Sequence, residues 1–125
     1  MNIAIDLDGT LAYYDGYKGP THIGKPIKNM IERVKKLIDD GNTIKIFTAR
    51  ANDKESIPAI KKWCLEYLGK ELDVTNVKEK DFAMFIDDRA VAVEKNTGKL
   101  LSPLLNEDLV QTRTPIQDFL DDLIP

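Results

Sequence analysis

The strongest constraint on the fold is an alternation of short apolar runs with longer helical patterns. Short apolar runs predict buried strands at residues 3–7, 44–47 and 82–86, with a weaker strand at 72–77. Apolar residues recur at helical spacing over residues 26–38 and 57–68, and Gly41 and Gly69 follow as expected helix stops. This order predicts an α/β fold: a three-layer, Rossmann-like, doubly wound sheet that is mainly parallel.

The length of 125 residues fits one domain. We expect a core at residues 1–101 that ends in a hairpin around Asn96-Thr97-Gly98. Residues 102–125 carry five acids against the single base Arg113, and their pattern predicts a helical extension. That extension is expected to pack on the core or on a partner subunit, so both a monomer and a homodimer stay open.

The chain has very few cysteine and histidine residues, and this limits the metal and redox chemistry that it can carry. The only Cys is Cys64 and the only His is His22, which excludes a disulfide, a zinc finger, a redox Cys-x-x-Cys and a His-Glu-x-x-His protease site. The net charge of -3 argues against binding nucleic acid mainly by phosphate neutralisation. The sequence has no apolar run of about 18 residues. We therefore expect no membrane span and a cytoplasmic protein.

Polar residues follow the predicted strands where those strands end. They are Asp6 and Asp8 after the first strand, Thr48 and Arg50 after the second, and Asp87 and Asp88 after the fourth, with Lys78 and Lys80 shortly before the fourth. Ligands bind beyond the carboxyl ends of parallel strands. Converging carboxylates, a hydroxyl and a lysine suit Mg²⁺ and a phosphoryl group. For Arg50, contact with a substrate phosphate and an ion pair with a neighbouring acid are both open.

The segment Asp6-Leu7-Asp8-Gly9-Thr10 resembles the first motif of the haloacid dehalogenase superfamily of phosphotransferases. Thr48 resembles the second motif, Lys78 the third, and Asp87-Asp88 the fourth, in the same order over about residues 1–93. Lys80 is the alternative for the third motif. Members that cleave carbon–halogen bonds lack an acid at the position of Asp8, so the resemblance favours phosphomonoester hydrolysis.

The resemblance implies a role for each matched residue. Asp6 would be the nucleophile that forms an aspartyl-phosphate, and Asp8 the general acid and base. Mg²⁺ would be held directly by the carboxylates of Asp6 and Asp87 and by the backbone carbonyl of Asp8, while Asp88 would lie behind these ligands or bind the ion through water. Thr48 and Lys78 would bind the phosphate oxygens.

The chain leaves no room for the cap domain that this family usually inserts, so it resembles the small capless branch. A loop with Tyr13, Tyr14 and Tyr17 would then wall the phosphate site. The expected substrate is a small phosphate ester such as a nucleotide. The segments at Asp6 and Asp87 are also similar to the phosphatase domain of phage-type polynucleotide kinase-phosphatases, so a nucleic-acid 3′-phosphate end is the alternative. A phosphate-binding module without catalytic activity is the alternative outside the enzymes.

Overall fold

A computed structural model describes residues 1–101, and it has an α/β fold built on a four-stranded parallel sheet. The strands are β1 (Asn2–Ile5), β2 (Thr43–Phe47), β3 (Asp73–Thr75) and β4 (Phe82–Ile86), in the order β3-β2-β1-β4. The helices are α1 (Lys28–Asp39) and α2 (Ser56–Leu68), with a short 3₁₀-helix at Ala49–Asn52. The prediction of an α/β fold with parallel strands is confirmed.

The two α-helices end where the sequence places its stop signals. After α1, Gly41 has a φ of 93°, and the backbone N–H of Asn42 donates to the Leu37 carbonyl. After α2, Gly69 adopts the left-handed conformation and donates to the Leu65 carbonyl. Pro58 lies in the first turn of α2, where its missing N–H breaks no helical hydrogen bond. The ends of the two helices were therefore predictable from the Gly and Pro residues of the sequence.

Both helices pack on the same face of the sheet. One buried cluster joins strand residues with residues from both helices, and its fully buried members include Ile3, Ile5, Ile46, Val34 and Ile60. Ile3 pairs with Ile44 and Ile5 with Ile46, so these side chains point to one side of the sheet. None of the helices among the described residues is long and apolar enough to cross a membrane.

The opposite face of the sheet is crossed by the connection between β3 and β4. Lys45 alternates with the core residues of β2 and therefore points to this face, where its ammonium lies 2.9 Å from a Glu79 carboxylate oxygen. An aromatic cluster of Phe47, Phe82 and Phe85 lies on the same face, with ring centroids 5.5 to 6.4 Å apart. Residues 76–81 thus carry the chain from one edge strand to the other.

Residues 1–88 form one compact unit, and a second unit begins at Arg89. In the part of the second unit that the structure describes, the predicted hairpin is a turn closed by one antiparallel bridge, between Val93 and Leu100. Asn96 and Gly98 take positive φ values in that turn. The predicted helical extension at 102–125, and its packing on the core or a partner, lies outside the described residues.

Candidate active site

The turn after β1 is held tightly against the core. Leu7 and Leu11 are fully buried, and the carbonyl of Leu7 accepts from the backbone N–H groups of Thr10, Leu11 and Ala12. The N–H of Asp6 continues the sheet by donating to the Ile86 carbonyl at 2.9 Å. The side chains of Asp6 and Asp8 are therefore fixed at the carboxyl edge of the sheet, as the sequence predicted.

Three carboxylates meet at this edge. Asp6, Asp87 and Asp88 each offer an oxygen, and these oxygens all lie within 4.8 Å of one another. Thr10 bridges two of them: its hydroxyl lies 3.0 Å from Asp88 Oδ1 and 3.3 Å from Asp6 Oδ2, and it accepts from the Asp88 N–H. A hydroxyl has one hydrogen, so it can donate to only one of the two carboxylates at a time.

The electrostatics of the cluster favour a bound cation. Burial, the hydrogen bond with Asp88 and the negative charges of Asp87 and Asp88 together raise the pKa of Asp6 to about 7. A carboxylate crowded by like charges holds its proton unless a positive charge replaces it. Mg²⁺ prefers carboxylate oxygens and few protein ligands, so Asp6, Asp87 and Asp88 fit this ion by their chemistry.

Asp8 is arranged differently from the other three acids. Its carboxylate accepts two hydrogen bonds from the Arg50 guanidinium, Nε to Oδ2 at 2.7 Å and Nη2 to Oδ1 at 3.1 Å. The side chains are largely buried, with exposed fractions of 9% for Arg50 and 20% for Asp8. The Asp8 carboxylate is thus not one of the three clustered carboxylates. This agrees with the resemblance, which assigns only the backbone carbonyl of Asp8 to the metal. The structure realises the ion pair that was one of the two alternatives for Arg50.

Thr48 ends β2 and starts the 3₁₀-helix. It is buried, its N–H donates to the Thr75 carbonyl at 2.9 Å, and its hydroxyl accepts from the Arg50 N–H at 3.2 Å. Because a hydroxyl can donate while it accepts, this cap leaves the Thr48 hydrogen able to donate to a phosphate oxygen.

The two candidate lysines lie on the connection that crosses the sheet. The Lys78 ammonium lies 5.5 Å from the centroid of the Phe85 ring. Both Lys78 and Lys80 are exposed. Lys78 contacts this aromatic ring, so its assignment to the phosphate stays a prediction.

Sequence reasoning assigned no role to Thr10 or Gly9, although both belong to the first motif. Gly9 has a φ of +89°, and a Cβ there would lie 2.6 Å from Asp88 Oδ2. Both residues act on Asp88, so their roles depend on a strand that enters the fold much later in the chain. Their membership of the first motif was the one signal in the sequence that could have pointed to these roles.

Comparisons of this chain with models of protein families, with curated proteins and with solved structures find no match. The geometry of the site and the motifs therefore carry any assignment of function.

Proposed function

We propose that this protein is a Mg²⁺-dependent phosphomonoester hydrolase that works through an aspartyl-phosphate on Asp6. The observation that carries this proposal is the meeting of Asp6, Asp87 and Asp88 at one edge of the sheet, with Asp8 held beside them by Arg50. A site that only bound phosphate would have no need of a proton-transferring acid at Asp8.

In the first step, a carboxylate oxygen of Asp6 attacks phosphorus, and the bond between phosphorus and the ester oxygen breaks. Asp8 gives its proton to the leaving alkoxide, which departs as an alcohol. Thr48 and Lys78 are proposed to hold the non-reacting phosphate oxygens. Asp6 must be ionised to attack, which the neighbouring carboxylates oppose in the absence of a cation.

In the second step, Asp8 accepts a proton from water, and the water oxygen attacks phosphorus. The bond between phosphorus and Asp6 breaks, which releases inorganic phosphate and restores the Asp6 carboxylate. When bound, Mg²⁺ offsets the repulsion between the Asp6 anion and the phosphate dianion. Asp6, Asp87, the Asp8 carbonyl and Asp88 are the residues that would hold it.

The finer fold assignment belongs to the same proposal. A haloacid dehalogenase-like domain has three layers, and the described residues supply the parallel sheet and one layer of helices. Within those residues β1 connects to α1 through a loop, and β2 to β3 through α2, so neither position holds a cap. We infer a capless member of this superfamily.

The proposed substrate is a small phosphate ester such as a nucleotide. The loop beside the site presents Tyr13, Tyr14 and Tyr17, which are 47 to 63% exposed and offer planar surfaces for a base. A nucleic-acid 3′-phosphate end is the alternative, because an uncapped edge admits a large substrate.

The decisive experiment measures release of inorganic phosphate with Mg²⁺ present. We expect Asp6→Asn to lower the rate by about three orders of magnitude or more, as removal of a nucleophile does. Asp40→Asn is the matched control, since Asp40 pairs with Lys36 on the surface. Wild-type turnover in the Asp6→Asn protein would refute the mechanism. A wild type that hydrolyses no ester in a broad panel would instead support a non-catalytic phosphate-binding module.

The substrate is tested by comparing nucleoside monophosphates with a 3′-phosphorylated oligonucleotide at two salt concentrations. We expect faster turnover of the monophosphates and little dependence on salt. Preference for the oligonucleotide, with a rate that falls steeply as salt rises, would favour the polynucleotide alternative.

A further inference from the structure

Arg50 contacts Asp8 on one side and the loop at residues 17–22 on the other. Its Nε and Nη2 form a fork on the Asp8 carboxylate. Its Nη1 lies 2.9 Å from the His22 carbonyl oxygen and 3.4 Å from the carbonyl oxygens of Gly19 and Pro20. The Tyr17 ring lies over the guanidinium at 5.7 Å.

This arrangement commits most of the donors of Arg50 to the protein. A guanidinium has five N–H donors in a fixed plane, and a two-oxygen acceptor is best bound through two of them at once. Asp8 occupies that fork. A substrate phosphate could take it only by displacing the Asp8 carboxylate, so the geometry does not favour Arg50 as a phosphate ligand.

The loop that Arg50 contacts is also attached to α2. The Ser56 hydroxyl donates to the Pro20 carbonyl at 2.7 Å, and the indole N–H of Trp63 donates to the Gly24 carbonyl at 3.1 Å. Both side chains are buried. The backbone bond from the Tyr13 N–H to the Lys25 carbonyl closes the base of the loop. Arg50 is therefore the link between an anchored loop and the Asp8 carboxylate.

We propose that Arg50 is a positioning residue, which acts on the reaction by holding the Asp8 carboxylate in one orientation and the 17–22 loop as a wall beside it. This inference rests on the proposed function for its catalytic part. It changes the expected role of Arg50: the side chain holds the group that transfers protons and does not bind the phosphate.

A double-mutant cycle separates the two roles, with variants Arg50→Ala, Asp8→Ala and the double variant. The substrate is p-nitrophenyl phosphate, whose leaving group departs without a proton, so that Asp8→Ala keeps a measurable kcat, and kcat is compared in all four proteins. We expect Arg50→Ala to lower kcat by about 10- to 100-fold with KM changed less than about threefold, and to cost almost nothing in the Asp8→Ala background. Equal losses in both backgrounds, or a large rise in KM, would overturn the proposal.

Two further variants test the geometry. Arg50→Lys keeps the charge without the planar fork, so we expect only partial recovery of kcat. Arg33→Ala removes an exposed arginine from α1 and should leave kinetics unchanged. Full activity in Arg50→Lys would show that charge alone suffices and would overturn the positioning role.

Amide hydrogen exchange in the metal-free protein gives a readout that needs no activity. We expect faster exchange over residues 17–25 in Arg50→Ala and in Asp8→Ala, because each change removes one side of the link. Asp6→Ala is the control and should leave this loop unchanged. Unchanged exchange in Arg50→Ala would overturn the proposal even if the wild type proved to have no phosphatase activity, whereas inactivity alone would refute only the proposed function.

Discussion

Gly9 lies where the turn after β1 passes closest to Asp88. Its positive φ is a conformation that L side chains rarely adopt, and a Cβ would overlap the Asp88 carboxylate. The glycine therefore has two separate reasons to be there, one for the backbone and one for the carboxylate cluster.

We expect Gly9→Ala to lower the free energy of unfolding by about 1 to 3 kcal/mol and to weaken Mg²⁺ binding by about tenfold or more. Chemical denaturation and calorimetric Mg²⁺ titration measure the two effects. Gly16→Ala is the matched control: Gly16 also has a positive φ, of +124°, but a Cβ there meets nothing within 4 Å. It should cost stability without changing Mg²⁺ binding. Equal Mg²⁺ affinity in Gly9→Ala and the wild type would contradict the assigned role.

For single residues, the sequence predicted which acids lie close together more accurately than it predicted their hydrogen-bonding partners. The position of Asp6 could be predicted because it directly follows β1, so only neighbouring residues were needed for the prediction. The pairing of Arg50 with Asp8 could not be decided, because the two residues are 42 positions apart and a phosphate would satisfy Arg50 equally well. Thr10 likewise takes its role from Asp88, 78 positions away.

Among the elements, α2 joins the core to the loop beside the site. Its inner face carries the buried residues Ile60, Trp63, Cys64 and Leu68, and burial raises the pKa of the Cys64 thiol to about 12, so this thiol stays unreactive. The outer face includes Leu65, which is 51% exposed.

We expect Ile60→Ala to lower the free energy of unfolding by about 2 to 5 kcal/mol, since it leaves a cavity in the core. Leu65→Ala, on the same helix, should cost less than about 1 kcal/mol. Urea denaturation of both variants gives the comparison. Similar losses for the two residues would mean that α2 does not pack as described.

Helices and strands were predictable where the apolar pattern is regular and the ends carry Gly or Pro. The 3₁₀-helix at Ala49–Asn52 was not expected, because its residues have no apolar period and it depends on the Thr48 cap. The third strand was expected at 72–77 but covers only Asp73–Thr75. Residues 76 and 77 instead begin the path across the sheet to β4, which is set by the strand order and not by local pattern.

For the whole molecule, the proposed Mg²⁺ site would make the global stability depend on pH and on the bound ion. Asp6 has an ordinary pKa of 3.8 and a folded-state pKa of about 7. Between these values the folded protein holds a proton that the unfolded chain has released, so the contribution of Asp6 to stability falls as pH rises from about 4 to about 7. The proposed Mg²⁺ ion would bind the ionised form of Asp6 and so act in the opposite direction.

We therefore expect saturating Mg²⁺ to raise the Tm more at pH 8 than at pH 5. Asp6→Asn should flatten the pH dependence of the metal-free protein and remove most of the gain from Mg²⁺. Asp15→Asn is the control, because Asp15 pairs with Lys18 on the surface and its pKa is lowered, away from this pH range. Thermal melts with and without Mg²⁺ test this, and an equal Mg²⁺ effect at the two pH values would contradict it.

The path of residues 76–81 across the sheet has a consequence for synthesis of the chain. Of the four described strands, β4 leaves the ribosome last, yet it pairs with β1, which leaves first. Until residues 82–88 emerge, Asp6 and Thr10 have none of the partners that Asp87 and Asp88 supply. A nascent chain thus brings the carboxylates of the proposed Mg²⁺ site together only when β4 has joined the sheet, so the proposed ion would stabilise the four-stranded sheet but none of the shorter intermediates.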